Sequence, residues 1–252
     1  GRPERGLPEA FEAAKALVPF PGGLPLMSET DIREMLLEKT GPLRKKLIHG
    51  DREAGDRILN PFVERVAKCS AGLPIYVKYV VGDVLEGLIS PDEGARLPPS
   101  LAKYHEELLR RCAVGDLHQV VTPLVATLAV ANEPLTQDEL TALLARRGCV
   151  TGGADSLALV DRCLSAVASM VRLAPDPDGG DGYTLWHHSL NQHILESPET
   201  RETVATARRA MAEAALRPPG DASERYLYRQ GITHLLFEKR RDEALDLMTD
   251  LA

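Results

Sequence analysis

Three short stretches carry residue types able to handle a phosphorylated ligand. Trp186, His187, His188 and Ser189 stand between a short alternating segment and a helix. An imidazole at a helix start can donate to an anionic phosphate, while a serine there can cap the helix. The plainer reading is a pair of ordinary polar histidines. Gly72, Leu73, Pro74 and Ile75 end one helix and force the next to begin, with the Pro74 ring presenting an apolar face. The plainer reading there is a helix break alone. Gly1, Arg2 and Pro3 precede Ala14 to Phe20, a candidate strand, and an arginine at a strand end can clamp a phosphate with its bidentate fork. On pattern alone the plainer reading of Arg2 is a surface arginine. His193 and His234 read as interface or core-edge residues without metal-ligand spacing.

Other chemistries are missing from the sequence. It contains no G-x-x-x-x-G-K-[ST], no apolar strand ending in paired carboxylates, no G-x-S-x-G elbow and no H-E-x-x-H. The chain alone therefore lacks the means to cradle nucleotide phosphates and magnesium, and no enzymatic activity is expected of it by itself. Cys69, Cys112, Cys149 and Cys163 stand far apart, which argues for reduced, structural thiols and a cytoplasmic setting rather than zinc or disulfides. A formal net charge of -7 disfavours wrapping nucleic acid. No run approaches the roughly 20 apolar residues of a membrane helix. Arg2, Glu4 and Arg5 do not read as a signal or transit peptide, and the expectation is a segment cut from a longer protein.

The elements that would position these residues are mostly helical, and 252 residues at 44% hydrophobic suffice for one or two cores. Ser28 with Asp31 is a capping pair, followed by Ile32, Leu36, Leu43 and Leu47 at rough helical spacing. Asn60 and Pro61 are expected to open a second helix carrying Val63, Val66 and Ala67. A third runs from Ile75 to about Leu88, and residues 100 to 113 form a further amphipathic helix through Leu101, Tyr104, Leu108 and Leu109.

From Asp116 an apolar helix runs to about Ala131, and Thr136 with Glu139 forms a capping box for the next. A third helix follows Asp155 with Leu159, Cys163, Val167 and Met170. Val171 to Ala174 and Tyr183 to Trp186 then make a β-hairpin. Three helices followed by a hairpin is the winged helix-turn-helix order, with the hairpin as wing. Beyond it come a helix over Leu190 to Leu195, another starting at Ser197, Pro198 and Glu199, and two more around Arg225 to Glu238 and Asp242 to Leu251. The expected fold class is thus mainly α: a helical domain, a winged helix with a β-hairpin wing, then a helical array.

In this order, the features resemble the STAND class of signalling ATPases, of the NACHT and NB-ARC type found in animal and plant immune receptors, the apoptosome and bacterial defence proteins. Gly1, Arg2, Pro3 looks like the tail of the family's sensor arginine motif. Gly72 to Ile75 is similar to the GLPL motif, whose proline packs on adenine. His187 with Ser189 resembles the winged-helix histidine motif, in which the histidine reaches the β-phosphate of ADP. Leu97 to Leu101 with Tyr104, and His234 to Leu236, look like segments of NACHT proteins that carry downstream repeats. The chain departs from the family in lacking the phosphate-binding loop and magnesium carboxylates, and in having Gln192 where many relatives have an acidic residue.

The resemblance implies that 1–27 is the edge of a nucleotide-binding core, 28–113 a helical domain, 114–197 the winged helix and 198–252 a helical linker or start of a repeat array. It implies ADP/ATP as ligand, with magnesium in the parent protein and no cofactor for the isolated segment. Arg2, Pro74 and His187 would contact nucleotide, supported by Gly72 and Ser189. The implied partners are the missing nucleotide-binding core, further copies on activation, and downstream sensor repeats with their trigger. Membranes are not among them, and DNA is disfavoured. ADP would hold a resting state through its differential affinity for it, and exchange or a trigger would free the winged helix to rotate, allowing oligomerisation in defence or cell-death signalling. Two rivals stand beside this reading. One is a winged-helix DNA-binding regulator, disfavoured because the third helix offers Asp155, Asp161 and only one basic residue, Arg162. The other is a purely structural helical scaffold.

Overall fold

In a computed structural model, residues 26–37, 52–91, 96–177, 179–216, 220 and 222–250 are described. They are mainly helical, and among them a single two-stranded sheet is formed. Leu43, Leu47 and the candidate strand Ala14 to Phe20 lie outside the described residues. No single helix among the described residues is long and apolar enough to cross a membrane. The chain divides into two compact units between Tyr104 and His105.

The first unit contains α1 (Glu29–Leu37), α2 (Arg52–Ser70) and α3 (Pro74–Glu86). Ser28 and Asp31 cap α1 as expected: the Asp31 N–H donates to Ser28 Oγ at 3.1 Å and the Ser28 N–H donates to Asp31 Oδ2 at 2.7 Å. The hydroxyl of Ser28 also donates to that carboxylate, and these bonds hold the Asp31 pKa below the usual range. Asn60 and Pro61 do not open a helix, because α2 begins at Arg52 and runs through Pro61. The interior proline costs about 3 kcal/mol. Phe62, Val63 and Val66, all fully buried, offset it at roughly 1.5–3 kcal/mol per side chain.

Helix α4 (Leu101–Cys112) spans the division between the units. Its Tyr104 belongs to the first, where the hydroxyl donates to the buried Asp83 carboxylate. Its ring packs edge-on against Tyr76 and stacks on Tyr79, with centroids at 5.3 and 5.4 Å. The Tyr76 hydroxyl donates to the Pro98 carbonyl at 2.5 Å.

The second unit is built around α5 (His118–Val130), apolar on nearly every side and buried from Leu124 to Val130. Against it pack α6 (Gln137–Arg146), α7 (Ala154–Ala166), α8 (His188–Glu196) and α9 (Arg201–Ala215). The expected capping box starts α6: the Glu139 N–H donates to Thr136 Oγ1 at 3.2 Å, and the Thr136 N–H to Glu139 Oε2 at 2.8 Å. Helix α7 ends four residues before Met170. Val167 and Met170 are fully buried from the turn that follows it, not from the helix.

Strands β1 (Val171–Pro175) and β2 (Asp181–Leu185) form the hairpin, with Leu173 opposite Tyr183. Trp186 lies one residue past β2 instead of inside it. The far side of β2 is bridged by Leu135, whose N–H and C=O bond Tyr183 at 3.0 and 2.7 Å. Helix α9 starts at Arg201, not at Ser197, because Ser197 to Thr200 close a turn in which the Thr200 hydroxyl donates back to the Ile194 carbonyl at 2.5 Å.

Two further helices, α10 (Glu224–Phe237) and α11 (Arg241–Asp250), complete the unit. Gly231 lets α10 approach α9, since a Cβ there would stand 2.7 Å from Ala215 Cβ. Arg229 fixes α10 to both the α5–α6 turn and the hairpin, pairing with Glu133 at 2.8 Å and with Asp176 at 3.4 Å.

Candidate functional site

Of the residues singled out by sequence, Arg2 lies outside the described residues. Gly72 and Pro74 fall in the first unit, and His187 and Ser189 in the second.

Pro74 is the first residue of α3, where its missing N–H costs nothing, and it is exposed while its neighbours Ile75, Tyr76 and Val77 are buried. The ring is therefore an apolar surface at a helix start. Gly72 sets it there. Its φ of +79° is a left-handed conformation, and a Cβ would stand 2.8 Å from both Leu26 Cβ and the Met27 carbonyl oxygen. Its own carbonyl accepts the Met27 N–H at 2.8 Å. The segment at 26–27 thus lies directly against the turn that launches α3.

His187 leaves the hairpin and becomes the N-cap of α8. Ser189 does not cap the helix with its own side chain, as expected from sequence. Instead the Ser189 N–H donates to His187 Nδ1 at 3.1 Å, and the Ser189 hydroxyl lies 2.7 Å from the same nitrogen. A backbone N–H can only donate, so Nδ1 must carry a lone pair. The neutral ring then holds its proton on Nε2, which makes that nitrogen a hydrogen-bond donor. Trp186 stacks beside the ring, with centroids 6.4 Å apart and planes 22° apart. Gln192 donates to Glu196 Oε1 at 3.0 Å along the exposed side of α8.

Sequence reasoning passed over His105. It is buried on α4, its ring 5.3 Å from that of His193 on α8. Burial, and after it the charges of His193 and His187, lower its pKa to about 4. A histidine following Tyr104 in an amphipathic helix gives no local sign of this neighbourhood. Arg147 was missed for the same reason. It donates to the Pro123 carbonyl at 2.7 Å, to Thr127 Oγ1 at 2.6 Å and to the Thr203 carbonyl at 3.1 Å, tying the end of α6 to α5 and α9. His234 is a core residue, its Nε2 2.7 Å from the Tyr226 hydroxyl, and burial lowers its pKa to about 4.

The four cysteines are free thiols, and burial pushes Cys163 up to about 11. Among the described residues, no group of three or more His, Cys, Asp or Glu is placed to hold a metal ion. Arg162, the one basic side chain of α7, is held by Asp116 at 2.7 Å. The chain matches no protein-family profile, no curated protein and no solved structure.

Proposed function

We propose that this chain is the regulatory switch segment of a STAND-class, NACHT-like ATPase, in which the His187 imidazole donates from Nε2 to a phosphate of bound ADP and so favours the resting state. The observation that carries this reading is the bond from the Ser189 N–H to His187 Nδ1, because it sets the tautomer that a phosphate-binding neutral histidine requires. In the same reading α5, α6, α7 and the β1–β2 hairpin constitute a winged helix. Its order of three helices and a hairpin, and the Leu135 bridge beside β2, support that assignment.

The residues present suit an adenine nucleotide in two separate respects. Pro74 offers an exposed apolar ring of the kind that packs on a base, and His187 offers a directed donor of the kind that meets an anionic oxygen. The phosphate-binding loop and the magnesium carboxylates are not in this sequence and would come from elsewhere in the parent protein. Nucleotide affects the switch only through its differential affinity for the two states. Loss of the His187 contact therefore shifts the balance towards the open, oligomerising state.

The test uses the intact parent protein. His187→Ala is expected to speed ADP release and to raise signalling and oligomer content in the absence of a trigger. Pro74→Ala is expected to speed ADP release through the base. Unchanged ADP retention and unchanged basal signalling in both variants would favour the purely structural scaffold instead.

A further inference from the structure

Among the described residues, nothing pairs with the backbone along the outer edge of β1, and the register of that edge can be worked out. Tyr183 directs both its N–H and its C=O to Leu135, away from β1. The Trp186 N–H bonds the Met170 carbonyl at 2.8 Å and the Asp176 N–H bonds the Gly180 carbonyl at 2.8 Å. With the paired register of the hairpin, bonded pairs fall at every second position: Met170 with Trp186, Arg172 with Thr184, Ala174 with Gly182, and Asp176 with Gly180. Leu173 stands between them, so its N–H and C=O point outward from the hairpin. Val171 and Pro175 also turn their carbonyls outward, while the Val171 N–H is taken by the Val167 carbonyl at 3.2 Å.

Side chains make the same edge receptive. Leu173 is 57% exposed. A groove of about 270 Å³ between the hairpin and α7 is lined by Leu173 together with Leu164, Val171, Tyr183, Asp161 and Arg172. Arg172 is exposed and forms no ion pair among the described residues.

We infer that the free edge of β1 is a docking site for an extended peptide segment of a partner protein, added antiparallel as a further strand. An apolar residue of that segment sits opposite Leu173 and exchanges two backbone hydrogen bonds with it. The N–H groups two positions to either side reach the Val171 and Pro175 carbonyls. The residue opposite Arg172 is acidic, because a carboxylate there meets an exposed cation across a strand pair. Pro175, which has no N–H, limits the register to this one centre.

The probe is an acetylated, amidated peptide with the core Val-Thr-Leu-Glu-Val and a lysine at each end, titrated into the isotopically labelled chain. Saturable amide shifts centred on Val171, Leu173 and Tyr183 are expected. Leu173→Pro removes the outward N–H without touching the bonds between β1 and β2, and is expected to weaken binding about fivefold or more. Arg172→Glu is expected to weaken it as well, and to restore it for a peptide with lysine in place of glutamate. An unchanged Gly182 amide signal in Leu173→Pro would show the hairpin intact. No saturable binding by the wild-type chain would overturn the inference, as would binding that Leu173→Pro with an intact hairpin leaves unaltered. Concentration-dependent broadening confined to this edge without peptide would also overturn it, by showing a second copy as the occupant.

Discussion

Replacing Gly72 by alanine should loosen α3, by an amount that its surroundings specify. Two costs add at this position. A left-handed φ of +79° costs a non-glycine residue about 1–2 kcal/mol. The new methyl would also stand 2.8 Å from the Met27 carbonyl oxygen, a backbone atom that cannot swing aside, and overpacking of this kind costs about 1–3 kcal/mol. The sum, about 2–5 kcal/mol, corresponds to a fall of roughly 30-fold or more in the protection of α3 amides against hydrogen exchange. Gly87 provides the matched comparison, with a φ of +78° and nothing within 4 Å of its would-be Cβ. Gly87→Ala should incur only the backbone cost, about 1–2 kcal/mol. Exchange measured at Val77 and Val80 in both variants separates the two contributions. Equal losses of protection would refute the argument that the 26–27 segment is what demands glycine at 72.

Arg147→Met should destabilise the second unit by about 2–4 kcal/mol, since it strips three part-buried acceptors of their donor, as read by urea unfolding followed at Trp186. Arg147→Lys should recover only part of that loss, because one ammonium cannot span acceptors on α5 and α9. Thr136→Ala should cost about 1 kcal/mol through loss of the capping box at α6, measured in the same way. The buried histidines set a pH dependence. His234 titrates at about 4 when folded against 6.5 in the unfolded chain, so between these values the unfolded chain binds more protons. Its stabilising contribution is full above pH 6.5 and is lost as pH falls towards 4, by at most about 3 kcal/mol. His234→Gln should flatten that part of the stability profile, and an unchanged slope would count against burial as the cause.

Features encoded within a few residues were the most legible in the sequence. The Ser28–Asp31 and Thr136–Glu139 caps, the Pro74 start of α3 and the hairpin around Gly179 and Gly180 depend on neighbours in the chain, and each occurs where its pattern indicated. Pro61 misled because its local preference for a helix start was overridden by the burial of Phe62, Val63 and Val66, which depends on tertiary packing. At the candidate site, His187 and Ser189 were found as a pair, but their roles in capping were exchanged: which of two adjacent polar residues turns back onto a helix depends on the backbone leaving β2. Arg147 and His105 gave no local sign, since the partners that define them lie 20 to 56 residues away for Arg147 and on another helix for His105.

In the proposed switch, His187 meets nucleotide phosphate as a neutral Nε2 donor. Ring nitrogen shifts of His187, recorded by long-range proton–nitrogen correlation on the intact parent protein, test it most directly. A protonated Nε2 and a lone pair on Nδ1 are expected, with the Nε2–H signal moving when bound ADP is removed. A proton on Nδ1, or an Nε2 signal indifferent to ADP, would contradict it.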